Sequence, residues 1–174
     1  AWVGMQFGFS WFAGSPLIGV LLFLGIAFGF FWGIERTKHS TTGVYLLLGF
    51  TFFMGLMLSR LLGIAVGMTN GVQLIGVAGA GTAAVFFGMA SVAATTKRDL
   101  SNMGKFLMIG VVMLLVASVA NIWLQMPALM LTVSTLAVGI FSLFLLYDLN
   151  RIMSGGETNY ISATLALYLD IFNV

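Results

Sequence analysis

The chain has 174 residues, of which 60% are hydrophobic and 7% are charged, and its mean hydropathy is +1.10. A soluble domain carries about 25% charged residues, so this composition indicates an integral membrane protein embedded in a lipid bilayer. The chain contains no cysteine and one histidine, which excludes disulfides, thiolate catalysis and metal sites built from cysteine or several histidines. The net charge of +2 comes from basic residues near helix ends, and we therefore predict no nucleic-acid partner.

Apolar runs separated by polar turns predict seven membrane spans, at 1–13, 17–34, 43–63, 72–95, 105–124, 128–150 and from 160 onward. A span needs about 20 residues to cross a ~30 Å bilayer core, and the first and last runs are shorter than that. We therefore expect one helical domain over residues 1–174, a fragment of a slightly longer chain whose first and last helices are truncated. The fourth span is rich in glycine and alanine, which predicts a place inside the bundle.

Basic residues alternate between the predicted loops. The loops after the second, fourth and sixth spans, with the residues beside them, hold Arg36, Lys38, Lys97, Arg98, Lys105 and Arg151, whereas the other three loops hold no lysine or arginine. The positive-inside rule then predicts a cytoplasmic N-terminus and a seventh span that starts from the cytoplasmic side. Arg60, near the outer end of the third span, is the exception and can extend its side chain to the interface.

Asp170 stands in the seventh apolar run. An acidic side chain at the centre of a membrane helix is unfavourable by about 2.5–3.5 kcal/mol, so such a residue is a functional candidate. It shares one helix face with small and polar residues at spacings of three and four, namely Asn159, Ala163, Ala166 and Asn173. We therefore expect Asp170 to face protein near the middle of the membrane, with Asn173 beside it on a polar path.

Asp148 lies in the sixth run, one turn from Arg151. On straight helices its depth differs from that of Asp170 by ~10 Å, so two interpretations stay open. If the carboxylates meet, they share a proton, because like charges a few Å apart cannot both ionise easily; its loss would repel the two helices and open a path. Otherwise Asp148 is an interfacial residue paired with Arg151 or Arg36, and Asp170 is a single buried acid bonded to a neighbour.

Several stretches resemble the transmembrane BAX inhibitor motif (Bax inhibitor) family, in its bacterial branch. The most specific are YDLNRI (147–152), GGETNYI (155–161) and LYLDIFN (167–173), and TKRDL (96–100) and VANIWLQMPAL (119–129) also agree. The resemblance covers about residues 43–174.

This resemblance implies an all-α polytopic membrane bundle with six helices around a central seventh. It also implies a pH-sensitive calcium leak of the bacterial plasma membrane, gated by an aspartate dyad at Asp148 and Asp170, with Arg36 as the partner of Asp148. Calcium would be the transported ion, with no cofactor. Because calcium prefers six to eight oxygen ligands, we expect only transient contacts with the two aspartates and no tight metal site.

Two other functions also fit parts of the chain. The resemblance extends to bacterial proteins that bind and restrain a membrane-anchored ATP-dependent protease, FtsH, so a membrane protease complex is the alternative partner. An intramembrane aspartyl protease would match Tyr147-Asp148, but its GxGD motif is absent before Asp170 and Pro127-Ala128-Leu129 precedes the pair. We therefore predict that the protein is not an enzyme. Asn121 and Gln125, at the outer end of the fifth span, predict a helix cap or an interhelical hydrogen bond.

Overall fold

The computed structural model describes residues 16–96 and 100–174, and within these ranges the chain is helical, with no strand. In chain order, the helices are α1 (Pro16–Thr37), α2 (Thr41–Val66), α3 (Gly71–Thr95), α4 (Ser101–Leu124), α5 (Pro127–Met153) and α6 (Tyr160–Asn173). They correspond to the second to seventh predicted spans. The predicted first span, 1–13, lies outside the described residues, as do Lys97 and Arg98 of the basic loop.

Helices α1 to α5 are each long and apolar enough to cross a membrane. Helix α6 has 14 residues, which is shorter than the ~20 residues that a full span requires. The prediction of an all-α membrane protein is therefore confirmed. The count of seven spans, the central position of the last helix and the single-domain organisation stay predictions.

The helices extend beyond their apolar runs, because polar residues at the ends continue the backbone ladder. The α1 helix ends at Thr37 and not near residue 34, and the Thr37 hydroxyl donates to the Gly33 carbonyl at 2.7 Å. Helix α4 starts four residues before Lys105, which places this lysine inside the first turns. Hydropathy marks the lipid-facing run, whereas hydrogen bonds determine where each helix ends.

The described chain divides into two compact units, one ending at Ala80 and one running from Gly81 to Val174. In the first unit, α1 and α2 pack through aromatic rings around the fully buried Phe50. Ring centroids lie 5.3–6.0 Å apart in four pairs, formed by Phe23, Phe30, Phe31, Phe50 and Phe53. These distances are typical of favourable aromatic contacts, so this cluster is the apolar core of the α1–α2 pair.

Helix α3 follows a tight turn that requires glycine. A Cβ at Gly71 would lie 1.7 Å from the Ala65 carbonyl oxygen, so no other residue fits without movement of the backbone. Farther along α3, a Cβ at any of the glycines Gly76, Gly79, Gly81 and Gly88 would meet no other atom of the described residues within 4 Å. These four positions of α3 are therefore open among the described residues, and the place of this helix inside the bundle stays a prediction.

In the second unit, α4 and α5 pack closely at two glycines. A Cβ at Gly104 would lie 2.8 Å from Tyr147 Cζ, and one at Gly110 would lie 2.9 Å from Ile140 Cδ1. Each glycine therefore forms a notch that receives a large side chain of α5. The two notches are six residues apart, and their partners are seven apart in the opposite order, so they fix the register of an antiparallel helix pair.

The α4–α5 turn confirms the predicted helix cap. Gln125 adopts a left-handed conformation with φ 50° and donates its backbone N–H to the Asn121 carbonyl at 2.8 Å. The Asn121 side-chain oxygen accepts from the Met126 N–H at 2.9 Å. Both polar residues therefore satisfy backbone groups where the helix ends, as a C-terminal cap does.

Candidate functional site

The structure brings Asp148 of α5 and Asp170 of α6 together, and their side chains are joined by a hydrogen bond. Asp170 is buried, with 4% of its surface exposed, and Asp148 is half-buried. An ionised carboxylate accepts hydrogen bonds and has no proton to donate. The contact therefore requires that at least one of the two carboxyl groups carries a proton.

One oxygen of this pair is buried without a conventional donor. Asp170 Oδ2 is the buried side-chain polar atom in the described residues that accepts no hydrogen bond from an N–H or hydroxyl group. Burying a polar atom without a partner costs about 1–3 kcal/mol, and a hydrogen bond with the carboxyl group of Asp148 would satisfy it.

The contact resolves the depth difference expected for straight helices. Asp148 lies five residues before the end of α5 and Asp170 lies ten residues after the start of α6. At 1.5 Å per residue, these separations are about 7.5 and 15 Å, so aligned axes need an offset of about 7.5 Å between the two helix ends. The six residues 154–159 between the helices have enough reach for this, because an extended chain covers about 3.3 Å per residue.

The connection between α5 and α6 is ordered by its own polar groups. Arg151 Nη2 lies 3.1 Å from Glu157 Oε2, and Glu157 Oε1 accepts from the Asn159 N–H at 2.9 Å. Asn159 is the N-cap of α6, and its side-chain oxygen accepts from the backbone N–H groups of Ile161 and Ser162 at 3.0 Å each. A continuous set of contacts therefore links the last turn of α5 to the first turn of α6.

The residues next to Asp148 on α5 contact α4 and the end of α3. Tyr147, directly before it, fills the notch at Gly104 and packs edge-on against Phe144, with ring centroids 6.4 Å apart. Asn150 Nδ2 donates to the Thr96 carbonyl, just past the end of α3, at 3.4 Å. Asp148 is thus carried by a segment of α5 that is anchored on both sides.

The other two predicted site residues lie elsewhere. Arg36 belongs to the first unit, and its guanidinium carbon lies 4.2 Å from the centroid of the Trp32 ring, one turn away on α1. Asn173 is exposed, and its side-chain amide donates to the Leu169 carbonyl at 2.7 Å. The roles of Arg36 as partner of Asp148 and of Asn173 in an ion path stay predictions. Arg151 forms its ion pair with Glu157 and also acts electrostatically on Asp148, so the alternative pairing of Asp148 with Arg151 stays open.

In the described residues, no three metal-ligating side chains of histidine, cysteine, aspartate or glutamate lie together. The site therefore consists of two carboxyl groups in contact and the Arg151–Glu157 ion pair in the connection beside them. Two carboxyl groups in contact can hold a proton between them.

Comparison with known proteins assigns the family. The family described as "Inhibitor of apoptosis-promoting Bax1" matches residues 1–174, which is the whole chain. The protein belongs to the Bax inhibitor family. The resemblance seen in the carboxy-terminal motifs is thereby confirmed, and it extends over the residues before 43 as well.

Relatives of this Bax inhibitor protein come from several bacteria. An uncharacterized protein of Neisseria meningitidis serogroup A is 40% identical over 169 residues, covering 96% of this chain and 74% of the relative. The "Modulator of FtsH protease YccA" of Escherichia coli strain K12 is 38% identical over 159 residues, covering 91% of this chain and 72% of the relative. An uncharacterized membrane protein of Vibrio cholerae is 34% identical over 160 residues, with coverage of 92% and 72%.

The sequence motifs identify the two aspartates and do not identify the residues that bring them together. In the sequence, Glu157 belongs to the family-like stretch 155–161 and Asn159 to the polar face of the last helix. Asn159 directly precedes an apolar run, which is the usual position of an N-cap, so that signal was present. The role of Glu157 had no comparable signal, because its partners are six residues before it and two after it in an irregular loop.

Proposed function

We propose that this Bax inhibitor protein is a pH-sensitive calcium leak of the bacterial plasma membrane, in which the proton shared by Asp148 and Asp170 controls the path. The observation that carries the proposal is the direct hydrogen bond between two carboxyl groups, one of them buried, on two neighbouring helices. A proton in this position joins α5 to α6. We place the N-terminus in the cytoplasm, so that the pair is approached from the cytoplasmic side.

Loss of the proton supplies a driving force for opening. Two unit charges about 4 Å apart repel by about 4 kcal/mol at an effective dielectric constant of 20. This energy is enough to separate two side chains or to tilt the short helix α6. A divalent cation that reaches the separated carboxylates relieves the same repulsion. Two carboxylates provide far fewer oxygens than calcium prefers, so the ion is released again.

Calcium flux through reconstituted protein tests this proposal. We expect liposomes that contain the full-length protein and are loaded with calcium to leak faster as the pH rises through the range in which the pair loses its proton. The substitution Asp170→Asn keeps the size and a hydrogen-bond donor and removes the titration. We expect it to flatten the pH dependence. Glu35→Gln is the matched control, because Glu35 is an acid that pairs with Lys38 in the first unit. Absence of flux at every pH from folded wild-type protein would refute the leak.

A second candidate function is modulation of a membrane-bound protease. It is favoured by the identity of 38% to the relative that is named a modulator of FtsH protease. The glycines of α1 at positions 25 and 29 and those of α3 at 76, 79, 81 and 88 would meet no described atom within 4 Å at an added Cβ. Such small-residue surfaces suit close approach by a partner helix.

Degradation of a membrane substrate by purified FtsH, with and without the full-length protein, tests this second candidate. We expect slower degradation in the presence of the protein and recovery of both proteins from one detergent complex. An unchanged degradation rate at saturating protein argues against the modulator. The two assays are independent, and each can fail while the other succeeds.

A further inference from the structure

The α5–α6 connection is closed by one carboxylate that binds both of its ends. Glu157 Oε2 pairs with the Arg151 guanidinium of α5 at 3.1 Å, and Glu157 Oε1 accepts from the backbone N–H of Asn159, the N-cap of α6, at 2.9 Å. The Glu157 side chain is 20% exposed, against 45% for Arg151, so it lies on the inner side of the connection. A single side chain therefore spans the gap between the two helices.

The backbone of the connection is held equally closely. The Arg151 carbonyl accepts from the N–H groups of Gly156 at 2.8 Å and Glu157 at 3.2 Å. Gly155 has φ +77°, which favours glycine, and a Cβ at Gly156 would lie 3.1 Å from Arg151 Cγ. Two glycines thus allow the chain to fold back tightly onto Arg151, and this fold presents the Glu157 carboxylate to both of its partners.

The start of α6 is fixed by these contacts. Asn159 caps the helix, and Ile161, two residues later, is completely buried. From there a continuous helix leads to Asp170, so the position of Asp170 is determined by where the helix begins. A slip of one residue would move Asp170 by about 1.5 Å along the axis and turn it by about 100°, which exceeds what a hydrogen bond to Asp148 tolerates.

We propose that Glu157 is the positioning residue of the aspartate pair: by joining Arg151 to the N-cap Asn159, it sets the register at which Asp170 meets Asp148. The effect of Glu157 on flux rests on the proposed leak function. The effect on the position of α6 does not, because it follows from the contacts alone.

The charged groups around the pair support this assignment. Asp148 interacts electrostatically with Arg151 and Glu157, besides its bond to Asp170. On α6 the other titratable residues are Tyr160 and Tyr168, and the charged residue of α4, which packs against α5, is Lys105, whose side chain is exposed. The ion pair of Arg151 and Glu157 therefore provides the charges of the connection that act on the aspartate pair. Breaking it changes both the position and the charge environment of the aspartates.

A distance measurement between spin labels on α5 and α6 directly tests whether the contacts of Glu157 position α6. The chain has no native cysteine, and Leu143 of α5 and Ile171 of α6 are 39% and 38% exposed, so Leu143→Cys and Ile171→Cys can carry the labels in the full-length protein. We expect one narrow distance distribution in the parent protein. Glu157→Ala should broaden it or displace it by about 1.5 Å or more, the rise of one helical residue.

Two further variants separate positioning from a general loss of structure. Glu157→Gln keeps one oxygen for the Asn159 N–H but turns an amide NH2, which is a donor, toward the Arg151 guanidinium, so we expect a smaller displacement than in Glu157→Ala. Glu35→Ala removes the acid of the Glu35–Lys38 ion pair in the first unit and should also leave the distribution unchanged. If Glu157→Ala does not fold, Glu157→Asp replaces it, since a side chain shorter by one methylene cannot hold both partners.

The outcome for the pair is then measured as calcium flux against pH. We expect Glu157→Ala to flatten the pH profile and Glu157→Gln, which keeps the contact with Asn159, to flatten it less. The proposal is overturned if Glu157→Ala has the parent distance distribution together with the parent pH profile. If the parent protein carries no flux at any pH while Glu157→Ala still displaces α6, the leak function fails and the positioning role stands.

Discussion

Gly104 provides a direct test of how Asp148 is held. In the structure, a Cβ at this position would lie 2.8 Å from Tyr147 Cζ and 2.9 Å from Tyr147 Oη. Ordinary carbon–carbon contacts are about 3.5–4.0 Å, so Gly104→Ala requires the Tyr147 ring to move by about 0.7 Å or more. The ring packs against Phe144, which restricts this movement, and Tyr147 is joined directly to Asp148.

The expected cost follows from these distances. Inserting one methyl group into a well-packed contact destabilises a protein by about 1–3 kcal/mol. In an open helical position the same change from glycine to alanine is favourable by about 0.5–1 kcal/mol, because alanine restricts the unfolded chain. We therefore expect Gly104→Ala to lower the free energy of unfolding of the second unit and Gly139→Ala, on α5, to leave it unchanged or raise it, since nothing lies within 4 Å of a Cβ at Gly139.

Thermal unfolding of the purified protein in detergent, followed by tryptophan fluorescence, measures both variants under the same conditions. The same change in a Tyr147→Leu background completes a double-mutant cycle. Without the tyrosine ring, Gly104→Ala should lower the free energy of unfolding much less, which identifies the Gly104–Tyr147 contact as the cause. If Gly104→Ala is as stable as Gly139→Ala, the close contact between α4 and α5 does not exist in the folded protein, and the anchoring of Asp148 through Tyr147 is refuted.

Two further predictions concern the helix ends. Asn159→Ala removes the oxygen that accepts from Ile161 and Ser162 and should cost about 0.5–2 kcal/mol of stability, whereas Asn159→Ser should keep the cap; equal melting temperatures for the two variants would contradict the cap. Ser40 and Met126 are exposed and the chain has no cysteine, so single cysteines at these positions report the topology. Ser40→Cys should react with an impermeant maleimide only from the cytoplasmic side, and Met126→Cys only from the outside. Labelling in the reverse sense would contradict the proposed topology.

The helices themselves follow closely from the sequence. The ends of the third, fourth and sixth predicted spans, 43–63, 72–95 and 128–150, lie within three residues of the observed ends of α2, α3 and α5. This agreement has a simple cause, because in a membrane a long apolar run must satisfy its backbone groups within itself and therefore forms a helix. The largest difference is the four residues between Ser101 and the predicted start at Lys105, where polar residues begin the helix before its apolar run.

Packing between helices could be predicted much less well, because the glycine spacing alone does not identify the partner. Three glycines of α1, at positions 25, 29 and 33, are spaced four apart, yet of these only Gly33 has a neighbour in the described residues, with Leu46 Cδ1 at 3.2 Å from its added Cβ. By contrast, Gly104 and Gly110 are the notches that α5 fills, although their spacing of six matches no common packing motif. Small residues allow close approach, but the large side chain opposite decides where it occurs.

The position of the aspartate pair depends on the short connection between α5 and α6 as well as on the two helices that carry the side chains. Helix periodicity predicts correctly that Asp170 is buried in the protein. It also predicts a depth difference of about 10 Å between Asp148 and Asp170, because a straight-helix estimate assumes that both helices start at the same level. In the structure, the contacts among Arg151, Glu157 and Asn159 determine where α6 starts. No sequence motif identifies these three residues as part of the site, because they contact one another in the connection. A substitution in this connection should therefore alter the aspartate pair as much as a substitution within either helix.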